Sequence, residues 1–215
     1  MSAPEDLTQA LRQLPLFPLQ EVVLFPGTLL PLHVFEPRYV QLVRDVMESH
    51  RSLSVVYVPD RDADMARAPA IAPIAGVGTI VEHSELPGER YHIVVLGRAR
   101  VKLQELSFLP PYRRALATLL PSTGTVPDVE LAAMHAAVQA FMQVVRKHDR
   151  DLRLRLPKDA PAGVLADACA HQLVLDVRER QAMLETLDVR ERVRRLTEIL
   201  TVQRAALAPA HGPTN

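Results

Sequence analysis

From Leu14 to Tyr39 the apolar residues come in short runs cut by prolines: Leu-Pro-Leu-Phe-Pro-Leu, then Val-Val-Leu-Phe-Pro-Gly, then Leu-Pro-Leu-His-Val-Phe-Glu-Pro-Arg-Tyr. Pro15, Pro18, Pro26, Pro31 and Pro37 each fix one backbone angle and remove an amide donor. The runs therefore predict short extended segments, and no long helix can pass through them. Pro26-Gly27 predicts a turn, and Glu36-Pro37 a helix start, because the first helical position needs no amide partner. Tyr39, Val40, Val43, Val46 and Met47 then recur at helical spacing, predicting a helix from Pro37 to about Ser49 with Arg38, Gln41, Arg44, Asp45 and Glu48 on its wet side. Leu53 to Val58 reads as a strand closed by Pro59, and a long polar and Ala/Pro loop follows. Val77 to His83 and Tyr91 to Leu96 predict a hairpin about Pro87-Gly88, with Gly97 turning the chain again. Arg100 to Leu106 and Tyr112 to Leu120 supply the last two strands.

At Pro121 to Pro127 the composition turns to Ser, Thr, Gly and Pro, and the hydrophobic period changes from two to three and four. This places a boundary between a β-rich domain over residues 1–120 and a helical one over 128–207, an α+β chain. Leu131, Met134, Val138, Phe141 and Val145 make one stripe of a helix from about Asp128 to His148, and a shorter helix is expected from about Pro161 to Leu173. The hexapeptide Leu-Asp-Val-Arg-Glu-Arg begins at Leu175 and again at Leu187. In each copy an Asp (Asp176, Asp188) stands three residues before a Glu (Glu179, Glu191), which predicts two capped helix starts rather than a domain-scale repeat. Val189, Val193, Leu196 and Leu200, resumed at Leu207, give the last helix an apolar face that a small bundle would bury.

The chain of 215 residues is long enough to bury roughly 70% of its unfolded surface without a staple. Its 25 basic residues balance 25 acidic ones, so the charge footprint of a dedicated nucleic-acid binder is missing. Cys169 is the sole cysteine, which excludes an internal disulfide and any multi-cysteine zinc site. The acidic start Met-Ser-Ala-Pro-Glu-Asp lacks the order of a signal peptide, and no apolar run approaches membrane-spanning length. A cytoplasmic protein with no membrane contact is expected.

No catalytic constellation assembles. Asp60, Asp62 and Asp64 alternate like the opening of a calcium loop, but Met65 and Ile71 stand where the turn glycine and closing Glu belong. Gly76-Val-Gly78 lacks a third glycine and leads into a strand. His83 and His92 would face each other across a hairpin symmetric about Pro87-Gly88, two ligands where zinc asks for more. Cys169 lies on an apolar helix, the setting of a buried structural thiol. Neither a cofactor nor a metal is expected. Arg98, Arg100, Lys102, Arg113 and Arg114, near Phe108 and Tyr112, form the mixture an RNA surface could use. The proline- and leucine-rich edges suit an extended apolar peptide instead.

Those opening motifs, with the later Gly-Val-Gly-Thr-Ile-Val and the Glu-Arg-Gln-Ala-Met-Leu-Glu-Thr-Leu-Asp-Val-Arg-Glu-Arg stretch, resemble the N-terminal substrate-binding domain of Lon protease from Leu14 to about Leu207. The resemblance implies a twisted, barrel-like (PUA-like) sheet carrying a helix, followed by a helical bundle, and no catalysis of its own. In full Lon proteases an ATPase module and a Ser-Lys peptidase module follow this domain, and neither appears before Asn215. The expectation is a free-standing, non-enzymatic module whose β-rich half binds unfolded or exposed apolar protein segments, with a protease or chaperone as a further partner. RNA binding by the barrel is the alternative. Arg38 and Tyr39, from the family-like motif, and Leu86, Pro87, Tyr91 and Phe108, from expected exposure, are the candidate peptide contacts.

Overall fold

The computed structural model describes residues 5–65, 68–149 and 153–207; the first four residues of the acidic N-terminal sequence lie outside the described residues. The chain divides into two compact units, Met1–Pro121 and Ser122–Asn215. The first holds α1 (Glu5–Ala10), β1 (Leu14–Leu19), β2 (Leu29–Val34), α2 (Pro37–Met47), β3 (Ser52–Tyr57), β4 (Ile74–Leu86), β5 (Arg90–Glu105) and β6 (Arg114–Leu120). The second holds α3 (Asp128–His148), α4 (Ala162–Leu173), α5 (Val177–Glu185) and α6 (Val189–Leu207).

β1 and β3 run parallel, Leu16 beside Ser54 and Leu19 beside Tyr57, and both are buried on both faces. That burial explains why they read as unbroken apolar runs rather than alternating ones. The six strands follow the order β2-β5-β4-β3-β1-β6, and β6 also pairs with β5. The ring this closes is partial. The β1–β6 seam is two residue pairs long, Leu14 with Ala115 and Pro15 with Arg114, and β2 lies outside it against β5 alone. The barrel-like expectation is thus corrected to a mixed sheet, not a clean barrel.

Gly97 does not turn the chain. β5 runs through it without a break, first along β2 and then along β6, with β4 beside both halves. What Gly97 provides is space: the segment Val23–Phe25, fully buried but outside any strand, lies directly on Gly76, Gly78 and Gly97. A Cβ at Gly76 would run into the carbonyl of Leu24, and one at Gly97 into that of Phe25. The Gly97 N–H donates to Thr28 O, and the Gly27 N–H to Gly97 O, each at 2.9 Å. The motif Val-Val-Leu-Phe-Pro-Gly, read as extended, is a buried strap across three glycines.

Two apolar clusters fill this unit. One gathers Phe17, Leu24, Tyr39, Val43, Leu53, Tyr91 and Tyr112 under α2. The other packs Leu14, Leu16, Val56, Val77 and Val101 with Leu7 and Ala10 of α1, a short helix the sequence pattern does not reveal.

In the second unit Met134, Val138 and Phe141 of α3 and Val193, Leu196 and Leu200 of α6 are buried, as their periodicity predicts, while Leu207 stays 37% exposed. Both copies of the hexapeptide start helices. Asp176 Oδ1 accepts from the N–H groups of Arg178 (2.7 Å) and Glu179 (3.2 Å), and Asp188 Oδ1 from that of Glu191 (2.9 Å). Glu179 bonds Arg195 of α6 at 3.0 Å. Thr123 pairs with the start of α6, its N–H donating to Leu187 O at 3.0 Å.

Arg192, the largest fully buried side chain, sits 3.6 Å from Asp167 of α4, and its other nitrogens donate to Ser122 Oγ (2.9 Å) and Thr186 O (3.3 Å). Cys169 of α4 is also buried, and burial pushes its thiol up to about 12, leaving it protonated at neutral pH. Burial, and then the neighbouring charge of Arg180, hold His171 below its ordinary value. A depressed histidine binds fewer protons folded than unfolded, so its contribution is complete above the unfolded value of about 6.5 and is lost as pH falls below it. Denaturant unfolding at pH 7.5 and pH 5.5 is expected to show the drop, and His171→Gln to flatten it; an unchanged slope would discard this assignment.

Candidate functional site

β5 and β6 are joined by a loop reading Leu-Ser-Phe-Leu-Pro-Pro-Tyr-Arg, from 106 to 113. Two consecutive prolines cannot continue a ladder, so the apolar residues before them are left outside the sheet. Phe108 is 61% and Leu109 67% exposed, with Leu106 and, on β6, Leu116 also open to solvent. The base of this apolar tip is held at several points. Arg113 makes a bidentate pair with Glu105, at 2.6 and 2.7 Å, and donates to Pro69 O at 2.8 Å. Arg114 lies 4.2 Å over the Tyr112 ring and donates to Leu109 O at 3.2 Å. Tyr112 in turn donates its hydroxyl to Asp45 of α2 at 2.6 Å, and burial followed by this bond raises it above the ordinary tyrosine value. An apolar tip braced at its base has less to order when it takes up apolar groups.

The other candidates fall in different places. Tyr39 and Tyr91 are only 5% and 8% exposed and belong to one core cluster, so their rings are occupied by packing. Tyr39 stacks on Phe17 with centroids 4.4 Å apart. Arg38 lies 4.6 Å over the Tyr39 ring, binds Glu36, and reaches Met65 O at 2.9 Å, fastening the start of α2 to the following loop. Leu86 and Pro87 sit at the hairpin tip, before β5, whereas Phe108 follows the far end of that 16-residue strand. They do not share a site with it. For Leu106, Leu109 and Leu116 the one sequence signal is the double proline, Pro110-Pro111, that follows Leu109.

His83 and His92 do not face each other. The turn holds three residues, Pro87 to Glu89, with Gly88 and Glu89 both at positive φ, and it sets Ser84 opposite His92. The partner of His92 is His33 of β2, its ring centroid 4.8 Å away. Among the described residues no group of three or more His, Cys, Asp or Glu is placed to hold a metal ion. The arginines considered for RNA are largely engaged: Arg100 is buried, Arg113 holds Glu105, Arg114 covers Tyr112, and Arg98 bonds Thr79 Oγ1 at 3.2 Å. No helix among the described residues is long and apolar enough to cross a membrane.

A family model described as the ATP-dependent protease La (LON) substrate-binding domain matches residues 13–202. The chain belongs to the Lon substrate-binding-domain family. The Lon protease of Roseiflexus castenholzii is 31% identical over 208 residues, an alignment that takes in 95% of this chain and 25% of that protein. Lon protease 2 of Sorangium cellulosum is 31% identical over 188 residues, covering 84% of this chain and 23% of that one. The chain thus spans about a quarter of the length of these relatives. Two solved structures share the fold at a TM-score of 0.62: a Lon N-terminal domain protein from Xanthomonas campestris (20% identity, 86% of this chain and 97% of that one) and the N-terminal domain of a Mycobacterium avium complex Lon protease (17%, 88% and 98%). The motifs that carry the Lon likeness are here structural, since Leu24, Phe25 and Tyr39 are all core residues.

Proposed function

We propose that the β-rich unit binds exposed apolar segments of unfolded proteins on the surface made by Leu106, Phe108, Leu109 and Leu116, in the cytoplasm and without chemistry of its own. The observation that carries this reading is a large apolar tip held open by the Glu105–Arg113 and Arg114–Tyr112 braces, on a chain of the Lon substrate-binding-domain family. Apolar surface presented on a fixed frame is the mark of a protein contact. A protease that degrades the captured chain is the natural partner of a domain of this family.

The test is retention of a chemically unfolded polypeptide by the immobilised chain. Phe108→Ser with Leu109→Ser is expected to weaken retention roughly tenfold while leaving the melting temperature within about 2 °C, since both side chains are exposed. Retention equal to the unsubstituted protein would refute the assignment.

A further inference from the structure

The helical unit carries an open groove of about 590 Å³ along one face of α6, closed at one side by the start of α5. Its α6 lining includes positions 191, 194, 195, 198, 199 and 202, the repeat of a single helix face over three turns, about 16 Å. Ile199 and Val202 give it an apolar floor, and Val202 is 68% exposed. Leu175, 64% exposed, is tied to the same place by its N–H, which donates to Gln203 Oε1 at 2.9 Å.

The charges around this floor are unequal. Asp176, Glu179, Glu191 and Glu198 face the groove against Arg194 and Arg195. Both arginines are already held, Arg195 by Glu179 at 3.0 Å and Arg194 by Glu130 at 2.7 Å. Arg190 also binds Glu130, and the two guanidiniums keep that carboxyl ionised, down to about 2. Arg194 is thereby drawn toward α3, which leaves Asp176, Glu191 and Glu198 to set the sign of the groove. The repeated hexapeptide is the source of much of this, since its two glutamates, Glu179 and Glu191, both line the groove.

We propose that this groove is a docking site for a cationic amphipathic helix of about three turns from another protein, its apolar side on Ile199 and Val202 and its Lys or Arg residues toward Glu191 and Glu198. An apolar floor rimmed by uncompensated carboxylates complements that chemistry and repels an acidic segment. The groove shares no residue with the β5–β6 loop.

The experiment titrates the intact chain into a fluorescently labelled 14-residue Lys/Leu amphipathic peptide, followed by anisotropy. A Lys/Leu peptide of scrambled order and a Glu/Leu analogue serve as comparisons. The expected result is saturable binding at least tenfold tighter for the amphipathic Lys/Leu peptide than for either comparison. Val202→Asp is expected to weaken it about tenfold, Glu191→Lys with Glu198→Lys at least as much, and Phe108→Ser not at all. All substituted positions are exposed, and circular dichroism confirms that the variants fold. Equal binding of the scrambled peptide, or undiminished binding by Val202→Asp, would overturn the proposal. So would sedimentation showing that the groove is covered by a second copy of this chain.

Discussion

Replacing Arg192 with methionine is expected to destabilise the helical unit by about 3–5 kcal/mol, the range for breaking a buried ion pair from one side. The guanidinium is 1% exposed and joins α6 to Asp167 of α4, to the Thr186 carbonyl ahead of the helix, and to Ser122. Its loss leaves the Asp167 carboxylate, itself only 4% exposed, beside an apolar group. The packing around it is close: a Cβ on Gly163 would approach Arg192 Nη2 to 2.8 Å, so the site is shaped to this side chain. Removing both charges should behave differently. Arg192→Met with Asp167→Leu is expected to recover most of the loss, because a buried pair replaced by apolar groups is often neutral. Urea unfolding of the single and double variants decides the matter; a single variant within about 1 kcal/mol of the parent would show that the pair is not what holds α4 and α6.

The second large effect is expected at Gly76, where alanine should cost about 3 kcal/mol through overpacking. The obstacle there is the carbonyl of Leu24, part of the backbone, and it cannot swing aside as a long side chain would. Relief requires lifting Val23–Phe25 from the sheet, which exposes three side chains now at most 2% accessible. Gly88 is the comparison, since nothing lies closer to its Cβ position than the Arg90 Nε at 3.9 Å and only its φ of 80° disfavours a side chain. Gly88→Ala should therefore cost about 1 kcal/mol. Thermal unfolding that ranked the two substitutions the other way would reject the strap.

The two cases mark how far the sequence could be read. Helices were legible from periodicity: α2, α3, α4 and the capped starts of α5 and α6 lie within a residue or two of where Tyr39, Met134 and the two aspartates place them. Strand identity was legible too, but not length. β5 reads as two strands with a turn at Gly97 because a glycine in a strand looks the same whether it bends the chain or makes room for another segment. α1 escapes because six residues are too few to show a period. The candidate site was legible in one residue, Phe108. Exposure of Leu116 depends on which face of β6 turns inward and that of Leu109 on the path of the loop before it, and the braces at Glu105 and Tyr112 depend on register. The groove on α6 requires two helices to be placed side by side, and no local pattern contains that.

The strand that opens the sheet has its neighbours far down the chain. β1 lies between β3, which begins at Ser52, and β6, where Leu14 meets Ala115 about a hundred residues later. As the polypeptide leaves the ribosome, one edge of β1 waits for residue 57 and the other for residue 115, with Leu14 and Leu16 uncovered meanwhile. A nascent apolar strand with two open edges is a template for pairing with any other chain nearby. Pro15 and Pro18 withdraw two amide donors from those edges. The prolines that break the opening sequence into short runs thus also leave its edges fewer amide donors to offer another chain.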